Sequence, residues 1–396
     1  MTEHDKLIYA ARKRYGTEDM SNLKFRAKSH RFLYLLAGLA LAACSSDETN
    51  GLSTADTGEH SYAGETITVV IGLDPSAGGT TVGRLIAKHL EQHLPGNPTV
   101  IVNNMPGAAG LNAHLHVLLK APKDGTTVYY GPRSSLGELL QLPGFNRFKY
   151  SDFTPLGGVQ LSGLVVYARN DVVPGGLDDI ASLRSADRLL FGGMSPEHGR
   201  MIVSTMGLDL IGANYSYITG YPSSGGIRAA VISGEVNVAT DAAHAYLSQV
   251  VPVLVERGEG TPIFSMPVQN NAGEFVPNAM VPDIPSLGDL YETLNGKPPA
   301  GIIWESIQTM LEIDQTMQHV FMGPPGMDPQ ATESFRVALE AAMNSEGYKE
   351  DARRIHGYVP DPVSYERQAK IFAATAAVGP EVLEFIKAHI EKNAGY

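Results

Sequence analysis

Apolar residues recur along this chain in two alternating rhythms. Residues 66–71 (Thr-Ile-Thr-Val-Val-Ile) form a short apolar run that reads as a buried strand ending at Gly72. After a loop over 73–81, Val82, Leu85, Ile86 and Leu90 return at helical spacing until Leu94-Pro95-Gly96 stops them. A strand over 99–102 follows. A helix carrying Leu111, Leu115 and Leu118 on one face then runs to Ala121-Pro122, and a third strand over 126–130 stops at Gly131-Pro132. Strands alternating with helices at this spacing predict βαβ units and a mainly parallel sheet.

A second round repeats the order. Residues 164–168 read as a strand and 177–185 as a short helix. Leu189-Leu190-Phe191-Gly192-Gly193 then runs into Met194-Ser195-Pro196-Glu197 and a helix through Leu210. Residues 215–219, 224–233 and 236–240 give strand, helix and strand again. Residues 270–300, rich in Pro, Asn and Gly, read as surface loop, and the tail from Pro329 reads as almost all helix, over 332–343, 348–355, 364–376 and 380–392. The predicted fold is α/β with two lobes and a helical C-terminal part. Lobe I takes 66–160 and 299–396, and lobe II takes 161–298. Ligands of such sheets sit beyond the carboxyl ends of the strands.

The two rounds share a turn. Gly72, Pro75-Ser76 and Gly79-Thr80 in the first match Gly192-Gly193 and Ser195-Pro196 in the second. Both read as strand–Gly–Ser/Pro–helix, so two helix N-termini can converge on one cleft and offer backbone N–H groups to an anion. The plainer reading is a pair of strand–helix turns made pliable by glycine. Replacing Gly78 and Gly79 with Val is expected to abolish anion binding without unfolding the chain.

The first 43 residues stand apart. Lys24, Arg26, Lys28 and Arg31 precede the apolar run 32–43, too short to span a bilayer, and small residues follow. This reads as an export signal, with residues 1–19 surplus and Met20 a candidate start. Leu41-Ala42-Ala43-Cys44 resembles a bacterial lipobox, which makes Cys44, the only cysteine of the chain, a lipidation site. The alternative is an ordinary signal with a chance cysteine. Residues 44–65 are polar and acidic and read as a disordered tether. Removing 1–43 takes away eight basic and four acidic side chains, so the remaining chain would carry −16 instead of −12. Such a charge excludes nucleic acid as a partner and requires local dipoles to capture an anionic ligand.

Other chemistries find little support. The glycines at 72, 78, 79 and 83 fit no dinucleotide fingerprint, and Thr80-Thr81 lacks the lysine of a P-loop. Ser195 lacks the second flanking glycine of a nucleophile elbow, and His198 lies on the same predicted helix, so capping by Ser195 is favoured over hydrolysis. His114 and His116 point about 200° apart on a helix and cannot share a metal. No metal or cofactor is expected. Arg133, Arg200 and Arg228 lie near predicted strand ends or helix starts, where a guanidinium could pair with a carboxylate, and Arg133 is the best placed.

The motifs together resemble the substrate-binding proteins of tripartite tricarboxylate transporters. They are Pro75-Ser76-Ala77-Gly78-Gly79-Thr80, the segments 102–110 and 122–131, Gly220-Tyr221-Pro222-Ser223-Ser224-Gly225-Gly226 through Val236, Pro282-Asp283-Ile284-Pro285, and Gly323-Pro324-Pro325-Gly326. Their shared order spans about residues 66–392. The resemblance implies a two-lobed periplasmic-binding-protein-like fold (type II, Venus flytrap) and a monomeric, non-catalytic receptor. It would hold a small carboxylate in its cleft and deliver it to membrane permease subunits. It implies ligand contacts from Ser76, Ala77, Gly78, Gly79, Thr80 and Thr81 on one side and Met194 and Ser195 on the other, with Ser134, Ser135, Ser162, Tyr221 and Asp241 also facing the cleft. Departures are Thr81, where an acidic or small residue is common, the missing lysine in the 220–226 segment, a longer connection over 293–318 containing Trp304, and the lipobox. A ligand-binding sensor and a hydrolase using Ser195 are the alternatives.

Overall fold

The structure, a computed structural model, describes residues 60–172, 180–186, 189–270 and 272–395. The expected signal, Cys44 and most of the tether lie outside the described residues, but the tether's end is packed and not disordered: Tyr62 is fully buried and its hydroxyl donates to the Ala331 carbonyl. From β1 (Thr66–Ile71) the chain passes through α1 (Gly78–Leu90), β2 (Thr99–Asn104), α2 (Leu111–Lys120), β3 (Thr127–Pro132), the short α3 (Ser135–Leu139) and β4 (Thr154–Gln160). It then supplies β5 (Leu164–Arg169), β6 (Leu189–Gly192), α4 (Gly199–Leu210), β7 (Tyr215–Ile218), α5 (Ser224–Ser233), β8 (Val238–Ala242) and β9 (Gly260–Ser265). A hairpin of β10 (Val268–Gln269) and β11 (Phe275–Val276) leads to α6 (Leu287–Asn295), α7 (Ile302–Met310) and β12 (His319–Gly323). The tail consists of α8 (Pro329–Asn344), α9 (Glu346–His356), β13 (Asp361–Val363), α10 (Tyr365–Ala376) and α11 (Pro380–Ala394).

Two sheets organise two lobes, in the orders β13-β4-β12-β3-β1-β2 and β7-β6-β8-β5-β9. Each has helices on both faces, and strand alternation divides its side chains between two cores. Along β1, Ile67, Val69 and Ile71 enter the core under α1 and α8, while Val70 enters the opposite one with Ala113 of α2 and Phe372 of α10. Along β5, Leu164, Val166 and Ala168 face one core of the second lobe and Val165 and Tyr167 the other. Each fully buried Val or Ile contributes about 1.5–3 kcal/mol, so a one-residue slip in either strand would be costly.

The sheets are mixed rather than mainly parallel. β1 runs parallel to β2 and β3, but β12 is antiparallel to both β3 and β4, and β5 is antiparallel to β8 and β9. The cause is the crossing of the chain between lobes. It leaves the first sheet after Gln160 and returns at His319, so β12 enters at the end where β3 and β4 leave, with His319 opposite Val159 and Pro132. β5 likewise starts at the crossing, with Leu164 opposite Ala242 at the carboxyl end of β8. The carboxyl ends of β1 and β8 therefore both lie toward the crossing.

Two further expectations are revised, and one is refined. Residues 287–295 form α6, capped by the Ser286 hydroxyl accepting from Asp289 N–H and burying Leu287 and Leu290; the flanking prolines and Gly296 disguised it as loop. In the 177–185 segment the described part is a 3₁₀ helix, Ile180–Ser185. A division at residue 299 does not follow the packing. Ile307, Met310, Ile386 and Ile390 of α7 and α11 share a core with Phe191, Met206 and Phe264 of the second lobe, whereas α8 packs on α1 and α10 on β4.

Candidate ligand-binding site

The loop after β1 is held by its own polar groups. Asp74 accepts at Oδ1 from the Ser76 backbone N–H (3.0 Å) and hydroxyl (2.7 Å), and these bonds hold its carboxyl below the usual range. The Thr80 hydroxyl donates to the Asp74 carbonyl (2.7 Å) and accepts from Asn104 Nδ2, which also donates to the Leu73 carbonyl. The Ala77 carbonyl accepts from the N–H groups of Thr80 and Thr81. Among the described residues the N–H groups of Gly78 and Gly79 take no partner, as the first turn of a helix dictates, and no side chain caps α1. The hydroxyls of Ser76 and Thr80 shape this turn, and its free donors are the two glycine amides.

Gly78 and Gly79 differ sharply in their surroundings. A Cβ on Gly78 would meet nothing within 4 Å. One on Gly79 would lie 2.2 Å from Cε1 of His319 and 2.6 Å from Leu73 Cδ1. Only Gly78 can be widened without displacing a buried ring, which revises the expectation that both tolerate Val.

The second lobe presents its own turn beyond β6. The Met194 carbonyl accepts from the Thr219 hydroxyl and the Gly220 N–H, and the Ser195 carbonyl accepts from His198 N–H and the Tyr217 hydroxyl. α4 starts at Gly199, with His198 and not Ser195 before it. Pro196-Glu197 form a turn ahead of the helix, so the expected capping by Ser195 does not occur. Among the described residues the exposed Ser195 hydroxyl bonds to no base. Asp314, from the segment returning to the first lobe, abuts this helix start: a Cβ on Gly199 would fall 2.2 Å from its Oδ2, and its Oδ1 accepts from the Ser135 hydroxyl at 2.5 Å.

Behind this turn lies a charged cluster. Arg228 pairs with Asp241 at 2.6 Å, and the Tyr167 hydroxyl donates to the second carboxylate oxygen at 3.1 Å. Burial raises the Asp241 pKa, against the pull of Arg228 and Arg200. Arg200 donates to the Ser224 hydroxyl at 2.9 Å, and no carboxylate among the described residues lies within ion-pair distance of it. Just past β8, His244 binds the Ser162 hydroxyl through Nδ1 (2.7 Å), and its ring stacks on Tyr358 of the first lobe at 4.4 Å. Burial and the nearby arginines hold its pKa down at about 4.

Several expected site residues have other partners. Arg133 is buried, donating to the Ile313 carbonyl and the Thr375 hydroxyl and lying over the Phe372 ring, so it ties the crossing segment to α10. Its neighbouring Gly-Pro strand end made it look best placed for a carboxylate. Arg200 is the second residue of α4 and donates to Ser224 of α5. Ser134 caps α3. The Tyr221 hydroxyl donates to Glu235, beyond the far end of α5. Asp241 and Ser162 are brought into the cluster, but as partners of Arg228 and His244. Among the described residues the buried His114 ring has no partner at hydrogen-bond geometry on either nitrogen, and no group of His, Cys, Asp or Glu could hold a metal.

A cavity of about 500 Å³ opens elsewhere, at the β4–β13 edge, lined by Gln160, Arg336, Tyr365 and Arg367. It shares no residue with either turn.

No known family model and no curated protein matches the sequence. Solved structures do match the fold. A TctC solute-binding protein from Polaromonas, without ligand, aligns over 84% of this chain and 100% of its own, with 16% identity and a TM-score of 0.59. MatC from Rhodopseudomonas palustris with bound malate aligns over 83% and 99%, at 18% identity and a TM-score of 0.52. A further R. palustris protein with adipate aligns over 84% and 98%, at 18% identity and a TM-score of 0.53. The chain thus has the two-lobed fold of periplasmic solute-binding proteins. Among the described residues no helix is long and apolar enough to cross a membrane.

Proposed function

We propose that this protein is an extracytoplasmic receptor that captures a small carboxylate between its lobes and delivers it to a permease of the tripartite tricarboxylate type, without a catalytic step. The observation that carries this reading is a pair of unspent donor sets at the crossing-facing ends of the two sheets. These are the free amides of Gly78 and Gly79 on the first lobe, and on the second Arg200, which feels Asp241 and Asp314 but has no carboxylate of the described residues within ion-pair distance. A carboxylate has two oxygens and can satisfy both sets, and partial helix charge and guanidinium both favour it. Similarly folded proteins hold malate and adipate. Closure of the lobes would bury the ligand and form the surface that a permease reads. Cys44 as a lipid anchor, an export signal over 1–43 and a monomeric state complete the proposal.

A thermal-shift screen over mono-, di- and tricarboxylates tests it, because a ligand at a hundred times its Kd adds about 2.7 kcal/mol of stability. A shift with one class of acid supports the reading. A flat response across the panel opposes it.

A further inference from the structure

His319 is the first residue of β12 and sits directly beneath the N-terminus of α1. It is 8% exposed, and its Nδ1 lies 3.0 Å from the Tyr130 hydroxyl. Tyr130 is fully buried, and its hydroxyl has no other partner among the described residues, so its proton is directed to Nδ1. That leaves the imidazole proton on Nε2. Nε2 itself makes no hydrogen bond among the described residues and, unlike both nitrogens of His114, is not sealed from solvent. An ideal Cβ on Gly79 would lie 3.0 Å from Nε2, which places this nitrogen beside the free amide of the same glycine.

We propose that His319 is the third donor of the first-lobe half-site, with Nε2–H joining the Gly78 and Gly79 amides on one carboxylate. Tyr130 acts as a positioning residue that fixes the tautomer. The assignment rests on the carboxylate-binding reading above and adds to it a neutral donor, contributed by the strand that returns from the second lobe. It also gives Gly79 a specific reason to be glycine, since any side chain there would push the ring out of donor position.

The test is isothermal titration of malate, adipate, citrate and benzoate into the wild-type protein and the variants His319→Phe, His319→Gln and Tyr130→Phe. Nitrogen-15 NMR of the ring follows in parallel. His319→Phe keeps the ring volume and removes the donor; it is expected to bind the best acid roughly 10- to 100-fold more weakly, the worth of a hydrogen bond to a charged acceptor. His319→Gln, which restores an N–H donor, should recover most of that loss. In the free protein Nε2 should carry the proton, and its resonance should move on saturation. Tyr130→Phe should mix the tautomers and weaken binding less than His319→Phe does. Undiminished affinity in a folded His319→Phe, or an Nε2 resonance that ignores saturating acid, overturns the assignment while leaving carboxylate binding intact. Failure of the wild type to bind any of the four acids overturns the carboxylate reading and this assignment with it.

Discussion

Alanine at Gly78 and alanine at Gly79 make a matched pair that isolates the role of close packing beneath the first turn. Both sites begin the same helix, so both gain up to about 1 kcal/mol from the better helix former. At Gly78 the new methyl enters open space, and the variant should be about 0.5–1 kcal/mol more stable than the parent. At Gly79 the methyl would sit 2.2 Å from a carbon of the buried His319 ring, whose Nδ1 is tied to Tyr130. Overpacking of this kind costs about 1–3 kcal/mol. After the helix gain, Gly79→Ala should lie roughly 0–2 kcal/mol below the parent, leaving it about 1–3 kcal/mol below Gly78→Ala. Equilibrium urea unfolding followed by circular dichroism reads the difference. Equal stabilisation of both variants would refute the packing of His319 against this turn.

Other consequences are separable by assay. Arg200→Met should weaken binding of the best carboxylate roughly 10- to 100-fold with little change in stability, whereas Arg133→Met should leave affinity unchanged and cost about 1–3 kcal/mol by stranding the Ile313 carbonyl. The reverse pattern in calorimetry would contradict both placements. Ser195→Ala should leave the urea midpoint unchanged, because the hydroxyl serves no cap; a clear loss of stability would show that it does. His114, buried among aromatic rings, has its pKa lowered by burial to about 3, against an ordinary 6.5. The unfolded chain therefore binds the extra proton between those limits, and stability falls as pH drops through that window. In His114→Phe the slope of stability against pH between 6.5 and 4 should shrink by about 1.4 kcal/mol per unit. An unchanged slope would show that the ring is not held neutral.

Much of the architecture was legible because it is local. The apolar run at 66–71, the 3.6-residue spacing from Val82 to Leu90, and the turns at Gly72 and Gly192 each encode an element without reference to distant residues. What escaped depends on the path of the chain. No local signal says that β12 enters its sheet from the crossing end, so the sheets looked parallel and neither β12 nor His319 was singled out. α6 was hidden by its flanking Pro285 and Gly296, although Ser286 followed by Asp289 is a recognisable helix start. Arg133, Arg200 and Arg228 were all visible as cations near strand ends. Sequence spacing could not show that Arg228 pairs with Asp241, that Arg133 turns into the crossing, or that Arg200 donates to Ser224 with no carboxylate of the described residues at ion-pair distance.

The most direct test of carboxylate capture at the crossing is a crystal structure of the protein with the acid that gives the largest thermal shift. The account predicts a carboxylate group whose oxygens accept from the Gly78 and Gly79 amides or from Arg200, with the two lobes closed over it. An acid found instead in the cavity lined by Arg336 and Arg367, with the α1 amides and Arg200 untouched, would contradict it.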